Sequence, residues 1–155
     1  MEILLYIILI IACTASFIAY AVIAKPEHLK KAIVVGIIFT IFGFLWDFIG
    51  INLVHYWDNT SSLLPELYGV PIGNIPFAIF GGAVFILLWN EFERRITKIV
   101  FLFSAAGTCG YAVALNIYSG FLIHYPPYNI GWAYLFWLGN LCLMVFCDYL
   151  YEKGK

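Results

Sequence analysis

The segment "AIVVGIIFTIFGFLWDFIGINLVHY" (residues 32–56) is almost entirely apolar and carries one acidic residue in its second half. Fifteen uncharged residues precede Asp47, and seven more separate it from His55. A helix that crosses the hydrocarbon core of a bilayer needs roughly 20 predominantly apolar residues. The segment is long enough to cross, and it therefore predicts a transmembrane helix with a carboxylate inside the membrane.

The whole chain has the composition of an integral membrane protein. Of its 155 residues, 64% are hydrophobic and 11% are charged, whereas an average soluble domain has about 25% charged residues. The longest uncharged run, residues 99–147, allows two crossings, because the adjacent prolines in "HYPPYN" mark a turn between them. We therefore predict one all-α transmembrane domain over residues 1–155, with five spans at about 3–24, 32–54, 74–90, 98–121 and 130–150.

The basic residues predict how this bundle lies in the membrane. The alternate connections, residues 55–73 and 122–129, contain no Lys or Arg. By the positive-inside rule, the N-terminus is then outside and the C-terminus cytoplasmic, as five spans require. A net charge of −1 without a further basic patch predicts no nucleic-acid partner. All eight basic residues fall in three clusters: Lys25, Lys30 and Lys31; Arg94, Arg95 and Lys98; Lys153 and Lys155.

The cysteines predict neither a metal site nor a cofactor. All four lie inside predicted spans and none forms a CxxC pair, so we expect buried structural thiols. They are Cys13, Cys109, Cys142 and Cys147.

Two pairs of segments indicate an internal repeat. "LVHYW" (residues 53–57) resembles "LIHYPPY" (residues 122–128) at a shift of 69 residues, and "NIPFAIF" (residues 74–80) resembles "NIGWAYLF" (residues 129–136) at a shift of 55. We predict that the second and third spans form one helical hairpin and the fourth and fifth a parallel repeat of it. Chance similarity between apolar segments is the alternative.

The helical period places Asp47 on a face of small residues. Gly36, Thr40, Gly43 and Gly50 share its side of the helix. A glycine stripe on a membrane helix allows close approach of another backbone, so this face should meet protein and not lipid. The same 69-residue shift gives a matching small or polar surface on the fourth span: Ala105, Cys109, Ala112, Asn116 and Ser119.

An ionisable group inside the bundle is a candidate functional residue. Asp47 is the candidate catalytic residue, with Asn116 as its first expected hydrogen-bond partner and Asn74 as its second. The alternative is a structural role, in which Asp47 joins the second and fourth spans through a polar bond. The candidate ligand-binding residues are Trp46, Asp47, His55, Asn74, Asn116 and His124.

The stretch "FLWDFIGINL", followed by "VPIGNIPFAIFGGAVFILLW", resembles the small membrane lycopene cyclase domain of carotenoid biosynthesis. Trp46 and Asp47 match a Trp-Asp element of that family, and Pro71 opens its second element. The family has paired glutamates there, whereas this chain has Gly73 and Asn74. The resemblance implies a helical isoprenoid-binding protein, and an enzyme of this kind would cyclise its substrate by proton donation from Asp47, the one deep acid that remains.

Three functions are compatible with these residues. The first is binding of an isoprenoid, carotenoid or other lipid in an aromatic groove near Asp47, since aromatic residues make up 19% of the chain. The second is a small oligomeric transporter or channel-like subunit with a polar pathway through Asp47, Asn116, His55 and His124. The third is a membrane scaffold or accessory subunit that contacts a partner subunit.

Overall fold

The computed structural model describes residues 2–59, 65–72, 74–118, 120 and 122–154, and it is mostly helical (79%). Gly73 of the proposed motif and Ser119 of the predicted surface lie outside these residues. The long helices are α1 (Glu2–Ile23), α2 (Pro26–Phe48, continued by a π-helical turn Ile49–Leu53), α3 (Asn74–Glu91), α4 (Arg95–Tyr118) and α5 (Ile130–Lys153). The short strands are β1 (Trp57–Asn59), β2 (Glu66–Leu67), β3 (Val70–Pro71) and β4 (Leu122–His124).

Four helices are long and apolar enough to cross a membrane: α2 with its π-helical turn, α3, α4 and α5. In α1, the part with described side chains includes a shorter apolar stretch, Thr14–Ile23. The all-α prediction is therefore confirmed, and these four helices fit the predicted spans by length and composition. Each helix agrees with a predicted span to within a few residues, except at the start of α2. This helix begins at Pro26, six residues before the predicted span, because the prediction began at the uncharged run and the first turn of the helix is charged.

The helices pack in a defined order. α2 lies against both α3 and α5, α1 covers α3, and α4 packs mainly on α5. α2 and α4 have no extensive contact in the described part of the chain. We call the end of the bundle with the α1–α2 and α3–α4 connections and the C-terminus of α5 the basic end. The opposite end, with residues 54–72 and 120–129, is the loop end.

Glycines bring α2 and α3 into close contact in the half of the bundle near the basic end. A Cβ at Gly36 would lie 2.5 Å from the Ile79 carbonyl oxygen, and one at Gly82 would lie 3.2 Å from the Gly36 Cα. The helices therefore cross with backbone against backbone, as the glycine stripe predicts. Ala32, Val35, Ile86 and Met144 fill the core around this crossing.

A buried ion cluster joins α2 to α5 at the basic end. The Lys31 ammonium contacts Asp148 at 2.9 Å and Glu152 at 2.7 Å, and the Asn90 amide donates to Asp148 at 3.3 Å. Lys31 is 3% exposed and Asp148 5%. The position of Asp148 near Lys153, at the end of the last predicted span, predicts a solvated interface charge. That expectation is wrong, because the helix face of Asp148 turns toward α2. Removing one partner of such a buried pair generally costs about 3–5 kcal/mol.

The strands form two small antiparallel sheets at the loop end. β1 pairs with β4, with Trp57 opposite His124, and β2 pairs with β3. The Trp57 ring packs on Gly50, where no Cβ would fit. Ile51, Trp57 and Val70 form a second, smaller buried cluster there. The predicted burial of the cysteines is wrong at Cys142, which is exposed on α5.

The α2–α3 crossing should be sensitive to a single methyl group. We expect Gly36→Ala to lower the stability of the bundle by about 1–3 kcal/mol, since the new Cβ overlaps the Ile79 carbonyl and overpacking of this kind forces a backbone shift. Gly43→Ala is the matched control, because a Cβ there has nothing within 4 Å. Thermal unfolding of both variants in the same detergent measures the difference, and equal melting temperatures would contradict the crossing.

Candidate functional site

A cavity of about 450 Å³ lies between α2, α3, α4 and α5 in the half of the bundle near the loop end. Phe39 and Trp137 line its deeper part, and the loop-end residues Trp57, Leu122 and Tyr128 line its top. It occupies the space between α2 and α4, between the main core and the Trp57 cluster. Its volume falls within the roughly 300–1,000 Å³ of ordinary small-molecule sites.

The predicted polar surfaces of α2 and α4 both face this cavity. Thr40, Gly43 and Asp47 line it from α2, and Cys109, Ala112 and Asn116 line it from α4. Each residue of the first set is related to one of the second by the 69-residue shift. The two surfaces are separated by the cavity and do not pack directly on each other.

The carboxyl of Asp47 and the side-chain amides of Asn74 and Asn116 line the cavity and have no hydrogen-bond partner among the described residues. The expected direct bond from Asp47 to either asparagine is not formed, and all three side chains line the cavity instead. In the hydrocarbon region polar groups need partners within the protein, in water or in a ligand. Thr40 and Thr108 satisfy their hydroxyls differently, by donating to the carbonyls of Gly36 and Ser104.

A continuous row of aromatic rings forms one wall beside Asp47. Trp46 stacks on Phe136 with ring centres 4.5 Å apart and lies 6.0 Å from Trp57, whose ring is 4.8 Å from that of Tyr128. All four rings line the cavity. The buried indole nitrogen of Trp46 has no hydrogen-bond acceptor within the described residues. The wall is therefore largely aromatic, and Asp47 lines the same cavity.

Tyr128 lies in the loop that precedes α5, and the charge of Asp47 affects its pKa. Burial, and then the negative charge of Asp47, raise the pKa of Tyr128 to about 12. Both effects disfavour the phenolate, the first because it removes water and the second by repulsion. Neighbouring Tyr125 differs: it is exposed, and its hydroxyl donates to Asp58 at 3.1 Å.

Four of the six predicted ligand-binding residues line the cavity: Trp46, Asp47, Asn74 and Asn116. The two histidines do not. His55 is exposed in a left-handed turn (φ 51°), a conformation in which His is enriched among non-glycine residues. His124 pairs with Trp57 in the sheet, and its ring meets Tyr128 edge-on at 6.2 Å, one layer behind the cavity wall.

Sequence reasoning did not single out Trp57, Tyr128, Phe136 or Asn140 as cavity residues. Asn140 is buried on α5, and its amide donates to the Phe136 carbonyl. The signal available was the polar Asn140 inside the uncharged run of residues 99–147, of the same kind as Asn116. Trp57 and Tyr128 had no such signal, since loop aromatics usually anchor the membrane interface.

Comparison with known proteins identifies no relative. No protein-family model, no curated protein and no solved structure matches this chain.

The electrostatic contact between Asp47 and Tyr128 can be measured by alkaline titration. Subtracting the tyrosinate absorbance of Tyr128→Phe from that of the unmodified protein isolates one transition. We expect its midpoint near pH 12, above the ordinary value of about 10. Asp47→Asn should lower it, because the repulsive charge is removed, whereas Asp58→Asn should leave it in place. A midpoint that does not respond to Asp47→Asn would contradict the contact.

Proposed function

We propose that this chain is a multi-pass protein of the cell membrane that binds an isoprenoid, carotenoid or other lipid in the cavity beside Asp47. The observation that supports this most is the combination of a largely aromatic wall with a few convergent polar groups. Small-molecule sites have this composition, with apolar walls that bury the ligand and isolated polar groups that orient it. A lipid would bury its chain against Phe39, Phe136 and Trp137 and place its polar end near Asp47.

The Trp46–Asp47 element that resembles lycopene cyclase domains lies in this cavity wall, which favours an isoprenoid ligand. Asn74, at the position of one family glutamate, lines the same cavity. An asparagine amide is too weak an acid to donate a proton to a polyene, so proton donation would depend on Asp47 alone. Binding without chemistry therefore has more support than cyclisation.

We also propose five spans built around a two-fold repeat. Continuing the β1–β4 register by one residue puts Tyr56 opposite Tyr125, where the Tyr125 amide donates to the Tyr56 carbonyl at 2.7 Å. A local two-fold axis at this pair relates each residue to the one 69 positions later (125 − 56 = 69), the shift found in the sequence. The two outer connections would then meet on the axis of the repeat.

A transporter or channel-like subunit is the alternative for the same cavity. It requires a polar route from the cavity to the loop end, and His55 and His124 were its expected members. Since neither lines the cavity, this function has less support than lipid binding. A scaffold role needs a partner subunit or a second copy of the chain, and no described contact favours one.

Lipid binding can be tested by filling the cavity. Gly43→Leu should place a side chain in the cavity without a clash, because nothing lies within 4 Å of a Cβ there. Gly139→Leu is the matched control, on an exposed part of α5 with equal space. We expect mass spectrometry of extracted lipids to show an isoprenoid or other lipid enriched with the unmodified protein and Gly139→Leu, and depleted at least severalfold with Gly43→Leu. Identical lipid profiles for all three proteins would contradict the proposal.

The predicted topology, with the N-terminus outside and the C-terminus in the cytoplasm, can be tested by cysteine labelling in a background without native cysteines. We expect Glu66→Cys at the loop end to react with an impermeant maleimide added to intact cells. Glu93→Cys, at the basic end, should react after permeabilisation only, because basic connections stay in the cytoplasm. The reverse pattern would overturn the proposed topology.

A further inference from the structure

The charge balance of the cavity points to the chemistry of its ligand. Asp47 is the one acidic side chain in its lining, and no Lys, Arg or His is among the described residues that line it. A carboxyl group in a low-dielectric site needs a proton, a hydrogen-bonding partner or a positive charge. Within the described part of the chain, Lys31 supplies a positive charge to the buried Asp148, whereas no basic side chain pairs with Asp47.

The rings beside Asp47 provide the second part of a cation site. Trp46, Trp57 and Tyr128 are consecutive in one wall, at centre-to-centre distances of 6.0 and 4.8 Å. Tryptophan and tyrosine faces attract cations through the ring quadrupole, and several such faces around one group form the aromatic cages that bind alkylated ammonium ions. The Asp47 carboxylate lines the same cavity and adds direct charge complementarity.

We propose that the ligand's polar end is an alkylated ammonium group, held between the Asp47 carboxylate and the faces of Trp46, Trp57 and Tyr128. This inference rests on the proposed function, because it specifies the polar end of the lipid that the cavity binds. The ligand's apolar chain runs from this end past Gly43 toward Phe39 and Trp137. Asn74 and Asn116 offer amide oxygens to the remaining N–H groups or to water around them.

The amides alone are compatible with a neutral hydroxyl end group, but the wall distinguishes the two chemistries. A hydroxyl needs one or two hydrogen-bond partners and gains nothing specific from several ring faces. An ammonium gains from each face, and the gain is largest where water is excluded. The position of the unpaired Asp47 next to the aromatic row therefore favours a cation.

The test compares two probes in nanodiscs of uncharged lipid, with empty discs subtracted. One is dodecyltrimethylammonium, and the other is its neutral analogue with a tert-butyl group in place of trimethylammonium. We expect calorimetry to show about tenfold tighter binding of the cation. Asp47→Asn should remove this preference, while Asp58→Asn, at a carboxylate outside the cavity, should retain it.

A second pair of variants tests the contribution of the aromatic faces independently of Asp47. Tyr128→Leu should reduce the preference for the cation severalfold, whereas Tyr125→Leu, at the exposed neighbour, should not. If Asp47→Asn does not fold, the comparison of Tyr128→Leu with Tyr125→Leu still tests the assignment. A preference that survives Asp47→Asn, or that Tyr125→Leu reduces as much as Tyr128→Leu, would overturn the assignment.

Different results would overturn the ammonium assignment and the proposed lipid binding in the cavity. Equal binding of both probes, blocked by Gly43→Leu, would overturn the ammonium assignment and leave lipid binding in the cavity intact. Absence of binding for both probes, together with lipid profiles unaffected by Gly43→Leu, would overturn both.

Discussion

The close crossing of α2 and α3 at Gly36 and Gly82 is the contact on which the rest of the architecture depends. It brings the two backbones together in one half of the bundle, where Met144 and the surrounding aliphatic side chains complete the core. The other half of α2 carries large rings, which cannot pack so closely. α2 and α3 therefore pack tightly near the basic end, and the cavity lies between α2, α3, α4 and α5 in the half of the bundle near the loop end.

The loop end completes the cavity with backbone hydrogen bonds instead of helix packing. β1 and β4 come from two connections that are far apart in sequence, and their pairing holds Trp57 over the space between α2 and α4. The π-helical turn of Ile49–Leu53 widens the end of α2 just after Asp47, and Gly50 in that turn receives the Trp57 ring. Gly50 and Ile51 of this turn are buried in protein, a setting in which irregular backbone is tolerated at membrane depth.

The two acids within the bundle, Asp148 and Asp47, differ in the partners that the described residues give them. Asp148 has an ammonium and an amide as partners, and with them it fixes α5 against α2. Asp47 has neither, although it lies in a wall whose other polar groups, Asn74 and Asn116, are equally unpaired among the described residues. A buried polar group that only joined helices would be expected to have its partner built into the fold. The contrast supports a ligand-binding role for the second site.

The sequence by itself determined the all-α class, the positions of the long apolar helices and the face on which Asp47 lies, because hydropathy, run length and helical period are local properties of the chain. It also identified Asn74 and Asn116 as companions of Asp47. Only the tertiary structure decided that these groups share a cavity without bonding to each other, that Asp148 pairs with Lys31, and that Trp57 and Tyr128 belong to the wall while His55 does not. Those outcomes depend on which helices are neighbours and how far apart they are held, and ring packing and glycine contacts between distant segments set these distances.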